Sequence, residues 1–166
     1  MRLTTFPARL ASLREERRAS DGLWHWLRGG QGAQVMIFGR HERELESALA
    51  DLNPVAQPGG MMADQARRDE VAEGFVQADR LLCGLDGLIY IAAVPGDTKK
   101  NNDEWEYVIG ANILEAMWCC EEAVPPMKKR GCGRIVNIGS LSAKPRGAGT
   151  DVYVATKSVC PASQRR

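Results

Sequence analysis

Three side chains near the end of the chain have the types and spacing that acid–base chemistry requires. Ser140 closes the apolar run RIVNIGS, Tyr153 follows thirteen residues later, and Lys157 comes four residues after Tyr153. Residues four apart share one face of a helix, so the Lys157 ammonium can approach the Tyr153 phenol. A phenol ordinarily titrates with a pKa of about 10, and a neighbouring cation favours its ionised form. The pattern therefore predicts a tyrosine that exchanges a proton with a substrate near neutral pH.

Alternating strand and helix patterns, which begin at Ala33, supply the elements that must position these side chains. Short apolar runs predict strands at AQVMIFG, GGMMAD, GLDGLIYIAAV and RIVNIGS. Amphipathic or long periodic stretches predict helices at RHERELESALADL, ARRDEVAEGFVQADRLL, NNDEWEYVIGANILEAMWCCEEAVPPM and DVYVATKSV. In the second of these helices we expect Val71, Phe75 and Val76 on the apolar side. The alternation is typical of repeated βαβ units, so we predict an α/β fold with a Rossmann-like, doubly wound parallel sheet.

The combination of these motifs resembles the short-chain dehydrogenase/reductase family, through the segments RIVNIGS, YVATK and GANILEA in their order and spacing. By that resemblance Tyr153 is the general acid/base and Ser140 hydrogen-bonds the substrate carbonyl. The resemblance also implies that Lys157 lowers the Tyr153 pKa and binds the nicotinamide ribose, and that Asn112 supports a proton relay through water. The other interpretation is that Tyr153 is a core or surface tyrosine and Ser140 a helix cap.

The residues that follow two other strands bear on the choice of coenzyme. Dinucleotide folds that prefer NAD place an acidic residue after the second strand, where it binds the ribose 2′-hydroxyl. Here Gly39 and Arg40 stand at that place, and a guanidinium can bind a 2′-phosphate through two hydrogen bonds. We therefore expect NADP(H) rather than NAD(H), unless Arg40 only begins a solvated helix. By the resemblance, Asp64 falls where the family contacts the adenine.

The segment before the long helix departs from the family's pattern. The family usually carries Asn-Asn-Ala-Gly at this point, whereas this chain has Tyr90, Ile91, Ala92 and Ala93. The side-chain hydrogen bonds of the asparagine are lost, but the small residues Ala92 and Ala93 still leave room for the coenzyme. We therefore include these two alanines among the expected coenzyme-binding residues.

The segment before AQVMIFG departs further, because it contains neither an apolar strand nor the glycine-rich turn T-G-x-x-x-G-x-G. With suitable synonymous codons, Arg14–Leu27 read one base earlier becomes TGGASGIGRAVALA, which is such a turn and its helix. We therefore expect a frameshift across about Ala8–Arg28, the alternative being a divergent N-terminus. Accordingly we expect residues 1–32 to form an atypical arm that replaces the first strand and helix.

Residues 33–166 are expected to form a partial Rossmann-like domain of the same family. The catalytic helix is interrupted at Pro161, and the family continues with further strands and a substrate-binding loop. We therefore expect a fragment that is truncated at its C-terminal end. The Arg-rich first twenty residues are typical of a transit peptide, but Glu15 and Glu16 argue against that interpretation.

The composition argues against several other functional classes. A net charge of +1 offers no electrostatic case for a nucleic-acid partner, and no apolar run is long enough to span a bilayer. Five cysteines without a C-x-x-C pair, together with two histidines, argue against a metal site. We expect a cytoplasmic protein with reduced thiols. The long helix around Trp105–Trp118 could form a homo-oligomer contact, with ordinary core packing as the alternative.

Two functions follow from these observations. The first is an NADP(H)-dependent oxidoreductase that moves hydride between nicotinamide and a small-molecule carbonyl or secondary alcohol. The alternative is a non-catalytic remnant of such an enzyme without turnover. It follows from the missing first strand and glycine turn, which would otherwise supply backbone donors to the pyrophosphate.

Overall fold

A parallel sheet of five strands forms the centre of this chain in a computed structural model, which describes residues 9–13, 34–52, 57–64, 67–94, 102–139 and 151–159. The strands are β1 (Arg9–Leu13), β2 (Gln34–Gly39), β3 (Gln57–Met62), β4 (Gly87–Tyr90) and β5 (Arg134–Asn137). Their order is β3-β2-β1-β4-β5, and every neighbouring pair is parallel. The chain therefore moves outward to β3 and returns to β4 on the other side of β1. This reversal is the switch point at which doubly wound sheets bind ligands, and it confirms the predicted fold class.

The described residues include five helices that follow β2, β3, β4 and β5 along the chain. They are α1 (Glu42–Leu52), α2 (Arg68–Leu82), α3 (Asn102–Ile109), α4 (Glu115–Arg130) and α5 (Asp151–Val159). A π-helical turn, Gly110–Leu114, joins α3 to α4. The helix predicted over residues 101–127 is therefore present, but this π-helical turn, which contains Asn112, interrupts it.

Strand β1 corrects the expectation drawn from the segment before Gln34. Residues Arg9–Leu13 pair with β2 on one side and β4 on the other, with Ala11 opposite Met36 and Leu88. The expectation that this segment contributes no strand is wrong. A central strand gains backbone hydrogen bonds from both neighbours, so a short sequence with little apolar pattern can still complete the ladder. The glycine-turn and frameshift predictions fall on residues outside the described ranges, and the division at residue 32 stays a prediction.

The larger core cluster lies between the sheet and the pair α2 and α4. Phe38 of β2 stacks on Phe75 of α2, with ring centroids 5.7 Å apart, and Gly74 lets the helix backbone approach the Phe38 ring. Val71 and Phe75 are buried as predicted, whereas Val76 is 44% exposed. The prediction for Val76 was wrong because the buried stripe runs through positions 71, 75, 78 and 82, which are spaced by three or four residues.

The opposite face of the sheet is covered by α1. Leu45, Ala48 and Leu52 of this helix pack with Val35 and Ile37 of β2 in a second, smaller cluster. Side chains alternate along a strand, so β2 supplies Met36 and Phe38 to one face and Val35 and Ile37 to the other. This burial on both faces is typical of a parallel sheet between helical layers. No helix in the described ranges is long and apolar enough to cross a membrane.

Candidate active site

The carboxyl ends of the strands bring several of the predicted site residues to one edge of the sheet. Arg40 follows β2, and Asp64 lies two residues beyond β3. Ala92 follows β4, and helix α5 carries Tyr153 and Lys157 to the ends of β4 and β5. Parallel strands all end at the same edge, so residues far apart in sequence converge there.

Lys157 is a buried residue whose ammonium group contacts two strand ends. Its side chain is 3% exposed, and its Nζ donates to the carbonyl oxygens of Ala92 and Ile138, at 3.4 Å each. These carbonyls belong to the segments that follow β4 and β5. A buried ammonium needs such acceptors, because burying an unsatisfied charge is costly. The contacts therefore fix α5 across the ends of two neighbouring strands.

Asn112, in the π-turn, connects the end of β4 to helix α5. Its Oδ1 accepts from the Val94 N–H at 2.8 Å, and its Nδ2 donates to the Val94 carbonyl at 3.1 Å and to Thr156 Oγ1 at 3.0 Å. Asn112 and Thr156 are both buried. The side-chain amide thus uses its acceptor and both donors inside the protein, and this fixes its orientation. The water relay implied by the resemblance stays a prediction.

Thr156 is a site residue that sequence reasoning missed. Its hydroxyl donates to the Tyr153 carbonyl at 2.9 Å and accepts from Asn112. A signal was present in the sequence: Thr156 directly precedes Lys157 and lies three residues after Tyr153, so it falls on the inner side of the same helix. This hydroxyl couples Asn112 to the helical turn that begins at Tyr153.

Tyr153 is half-buried, one helical turn before Lys157. It is neither a fully buried core tyrosine nor a fully exposed one. Strand β5 ends at Asn137, and the described backbone continues to Gly139. Ser140 lies just outside the described residues, so its approach to Tyr153 stays a prediction.

The predicted coenzyme residues lie beyond the other strand ends. Arg40 donates from Nη1 to the Tyr107 hydroxyl at 2.8 Å, a contact that joins the end of β2 to α3 and that the sequence did not indicate. The Asp64 N–H donates to Glu70 Oε2 at 2.7 Å, which ties the end of β3 to the first turn of α2. Ala92 is fully buried and Ala93 is half-buried. Among the residues that the structure describes, no group of three acidic, histidine or cysteine side chains could hold a metal ion.

A parallel sheet with a switch point and a helix across its carboxyl edge defines a doubly wound α/β domain of the Rossmann type. The family model described as short chain dehydrogenase matches residues 29–161, which is most of the chain. The chain therefore belongs to the short-chain dehydrogenase family.

Individual relatives agree with this membership. The 3beta-hydroxysteroid dehydrogenase of Mediterraneibacter gnavus is 30% identical over 132 residues, which are 76% of this chain and 48% of that protein. Actinorhodin polyketide ketoreductase, solved with NADPH, superimposes with a TM-score of 0.78 at 24% identity, over 91% of this chain and 60% of that one. A xylitol dehydrogenase bound to NAD+ superimposes with a TM-score of 0.84 at 18% identity, over 97% of this chain and 64% of that one.

The two solved structures show the common fold alone, because their identity to this chain is low. One of them holds NADPH and the other NAD+, so the fold is compatible with either coenzyme. The chain spans about half the length of the curated relatives it matches, at 56% and 48% for two of them.

Proposed function

We propose that this chain carries the catalytic half of an NADP(H)-dependent oxidoreductase that acts on a carbonyl or a secondary alcohol. The observation that carries the proposal is the hydrogen-bonded set Asn112–Thr156–Tyr153, which holds α5 so that the buried Lys157 ammonium lies at the ends of β4 and β5. A phenol one turn from a fixed ammonium is suited to proton transfer at a polarised oxygen.

Each side chain has a distinct role in this proposal. Tyr153 gives a proton to the carbonyl oxygen during reduction and removes it from the alcohol during oxidation. Ser140 donates a hydrogen bond to the same oxygen and orients it. Lys157 holds the nicotinamide ribose and places a positive charge near the phenol. The nicotinamide, when bound, supplies or accepts the hydride.

The described residues are compatible with a bound dinucleotide at both of its ends. Ala92, at the end of β4, adds little side-chain bulk, and Lys157 lies against its carbonyl at 3.4 Å. Arg40 and Asp64 follow β2 and β3, where the adenosine half would lie. In the proposal Asp64 contacts the adenine, and Ala92 and Ala93 flank the nicotinamide half.

NADP(H) is the preferred coenzyme in this proposal because of Arg40. Its guanidinium is half-buried and is oriented by the Tyr107 hydroxyl at 2.8 Å, which leaves a cation at the place where NAD-preferring folds have a carboxylate. A preoriented guanidinium can form charge-assisted hydrogen bonds with a 2′-phosphate. A carboxylate at this place would repel the phosphate instead.

The proposed partners are a small-molecule substrate and a second copy of the chain, in the cytoplasm. Apolar side chains on α3, the π-turn and α4 support the homo-oligomer, because Trp105 and Met117 are 48% and 54% exposed. Trp118, by contrast, packs against the larger core cluster, as the core-packing alternative expects.

The test is reduction of a panel of ketones and aldehydes by the purified chain with NADPH and, separately, with NADH. Turnover is measured as the loss of absorbance of the reduced coenzyme. Turnover that falls by at least about a hundredfold in Tyr153→Phe, with an unchanged melting temperature, is the expected result. Absence of turnover with every substrate and both coenzymes would favour the non-catalytic remnant. That alternative rests on the sequence between β1 and β2, which lacks a glycine-rich turn.

A further inference from the structure

The π-turn that contains Asn112 changes the hydrogen bonding of two carbonyl groups, those of Gly110 and Ala111. In an α-helix the Glu115 N–H would donate to the carbonyl of Ala111, four residues earlier. Here it donates to the carbonyl of Gly110, five residues earlier. The Tyr90 hydroxyl takes the place of the displaced donor and lies 2.8 Å from the Ala111 carbonyl oxygen. A side chain from β4 thus reaches into the turn that carries Asn112.

The same hydroxyl oxygen lies 3.0 Å from Glu115 Oε2. Tyr90 and Glu115 are each 1% exposed, so both belong to the interior of the domain. Polar groups this deeply buried cost free energy unless they are hydrogen-bonded. Tyr90 and Glu115 therefore form one connected unit with the turn.

The protons available for these two contacts indicate the protonation state of the Glu115 carboxyl group. A phenol has one proton, and a peptide carbonyl can only accept. If Tyr90 donates to Ala111, the contact between Tyr90 and Glu115 is a hydrogen bond only when the carboxyl group donates. If Tyr90 donated to a carboxylate instead, two oxygens with no proton between them would face each other at 2.8 Å. Burial also disfavours the charged carboxylate.

We propose that Tyr90 and a protonated Glu115 are positioning residues that hold the π-turn and, through it, Asn112. The chain of contacts runs from Glu115 to Tyr90, to the Ala111 carbonyl, and then to the neighbouring Asn112. Asn112 in turn fixes Val94 and Thr156, and Thr156 fixes the turn of α5 that begins at Tyr153. Tyr90 stands where the family usually has asparagine, so this pair is this chain's own means of supporting the turn.

The catalytic consequence rests on the proposed function, and it can be measured with two conservative variants. Tyr90→Phe removes only the hydroxyl. The π-turn then loses a hydrogen bond, and the positions of Asn112 and α5 are less well fixed. We expect kcat to fall about fivefold to tenfold, the equivalent of one buried hydrogen bond, while KM for the coenzyme stays near its original value. Glu115→Gln keeps a neutral donor at the same place and should retain kcat close to that of the original protein.

The protonation of Glu115 can be measured without any turnover. The infrared difference spectrum between the original chain and Glu115→Gln should contain the carbonyl stretch of a protonated carboxylic acid. Tyr90→Phe should shift that band, because the acid loses its acceptor. This readout separates the two proposals: if no substrate is reduced, the proposed function fails while the infrared band still decides the state of Glu115.

Two results would overturn the inference. One is an infrared difference that contains only carboxylate bands, which would mean that Glu115 is an anion. The other is a Tyr90→Phe variant with unchanged kcat, which would mean that the turn holds Asn112 without the hydroxyl. If Tyr90→Phe does not fold, the infrared difference spectrum and the kcat of Glu115→Gln test the inference without it.

Discussion

The side chains at the carboxyl edge of the sheet fall into two groups, which differ in how deeply they are buried. Lys157, Asn112 and Thr156 are buried and hydrogen-bonded to backbone or to each other, so their positions follow from the fold. Arg40, by contrast, is half-buried beyond the end of β2, and its Nη1 donates to the Tyr107 hydroxyl at 2.8 Å. The buried group can position the chemistry, whereas Arg40 lies at the end of β2, where the proposed function places the 2′-phosphate.

Replacing Arg40 tests the coenzyme preference at the scale of one residue. Arg40→Ala should weaken NADPH binding about tenfold or more, because it removes charge-assisted hydrogen bonds to the 2′-phosphate. NADH binding should change little, since NADH lacks that phosphate. Both dissociation constants can be measured by fluorescence titration of the reduced nicotinamide.

Arg43→Ala is the matched control for this measurement. Arg43 lies three residues further along, is exposed on α1, and carries the same charge. A general loss of positive charge would weaken NADPH binding equally in both variants. Equal losses would therefore contradict a specific role for Arg40.

Helix α2 illustrates how an element is positioned by packing rather than by its own propensity. Glycine inside a helix is unfavourable, yet Gly74 lies at the point where α2 contacts the Phe38 ring. A β-carbon there would lie 2.6 Å from Phe38 Cε1, and the ring cannot move freely because it is stacked on Phe75. The glycine therefore sets the distance between helix and sheet.

Gly74→Ala is expected to destabilise the protein, since overpacking by one methyl group costs about 1–3 kcal/mol and outweighs the gain in helix propensity. Gly110→Ala is the matched control, because a β-carbon at Gly110 meets nothing within 4 Å. That variant should be neutral or more stable by about 0.5–1 kcal/mol. Urea unfolding measures both, and a stabilised Gly74→Ala would contradict the close approach of α2.

At the scale of the whole molecule, β1 joins the two halves of the sheet. It pairs with β2 through five residues and with β4 through four. Without it, β2 and β4 would become edges, and their inward-facing backbone groups would lack partners. Lys157 and Asn112 are fixed to the β4 side and Arg40 to the β2 side. The strand therefore decides how the two parts of the site face each other.

Amide hydrogen exchange followed by mass spectrometry tests this arrangement. Peptides that cover β2 and β4 should exchange more slowly than peptides that cover the edge strand β3, because inner strands are paired on both sides. Peptides that cover α1 serve as the internal reference for rapid local opening. Exchange in β2 and β4 as fast as in β3 would mean that β1 does not lie between them.

Much of the fold and part of the site could be predicted from the sequence. Buried parallel strands such as Gln34–Gly39 are continuous apolar runs, and helices such as Arg68–Leu82 repeat their apolar residues every three or four positions. Both patterns are local, so they can be read without knowing the neighbours. The same holds for Tyr153 and Lys157, whose spacing places them on one helical face.

The features that local sequence patterns did not predict involve partners that are distant in sequence. Strand β1 has little pattern of its own and is defined by hydrogen bonds to β2 and β4. Likewise, no local rule links Tyr90 to Glu115 or Arg40 to Tyr107, because each pair forms only after separate elements have packed together. Short-range periodicity thus specified the element types and the acid–base motif. The tertiary structure decided the central strand and the polar contacts that hold the motif in place, since these depend on long-range pairing.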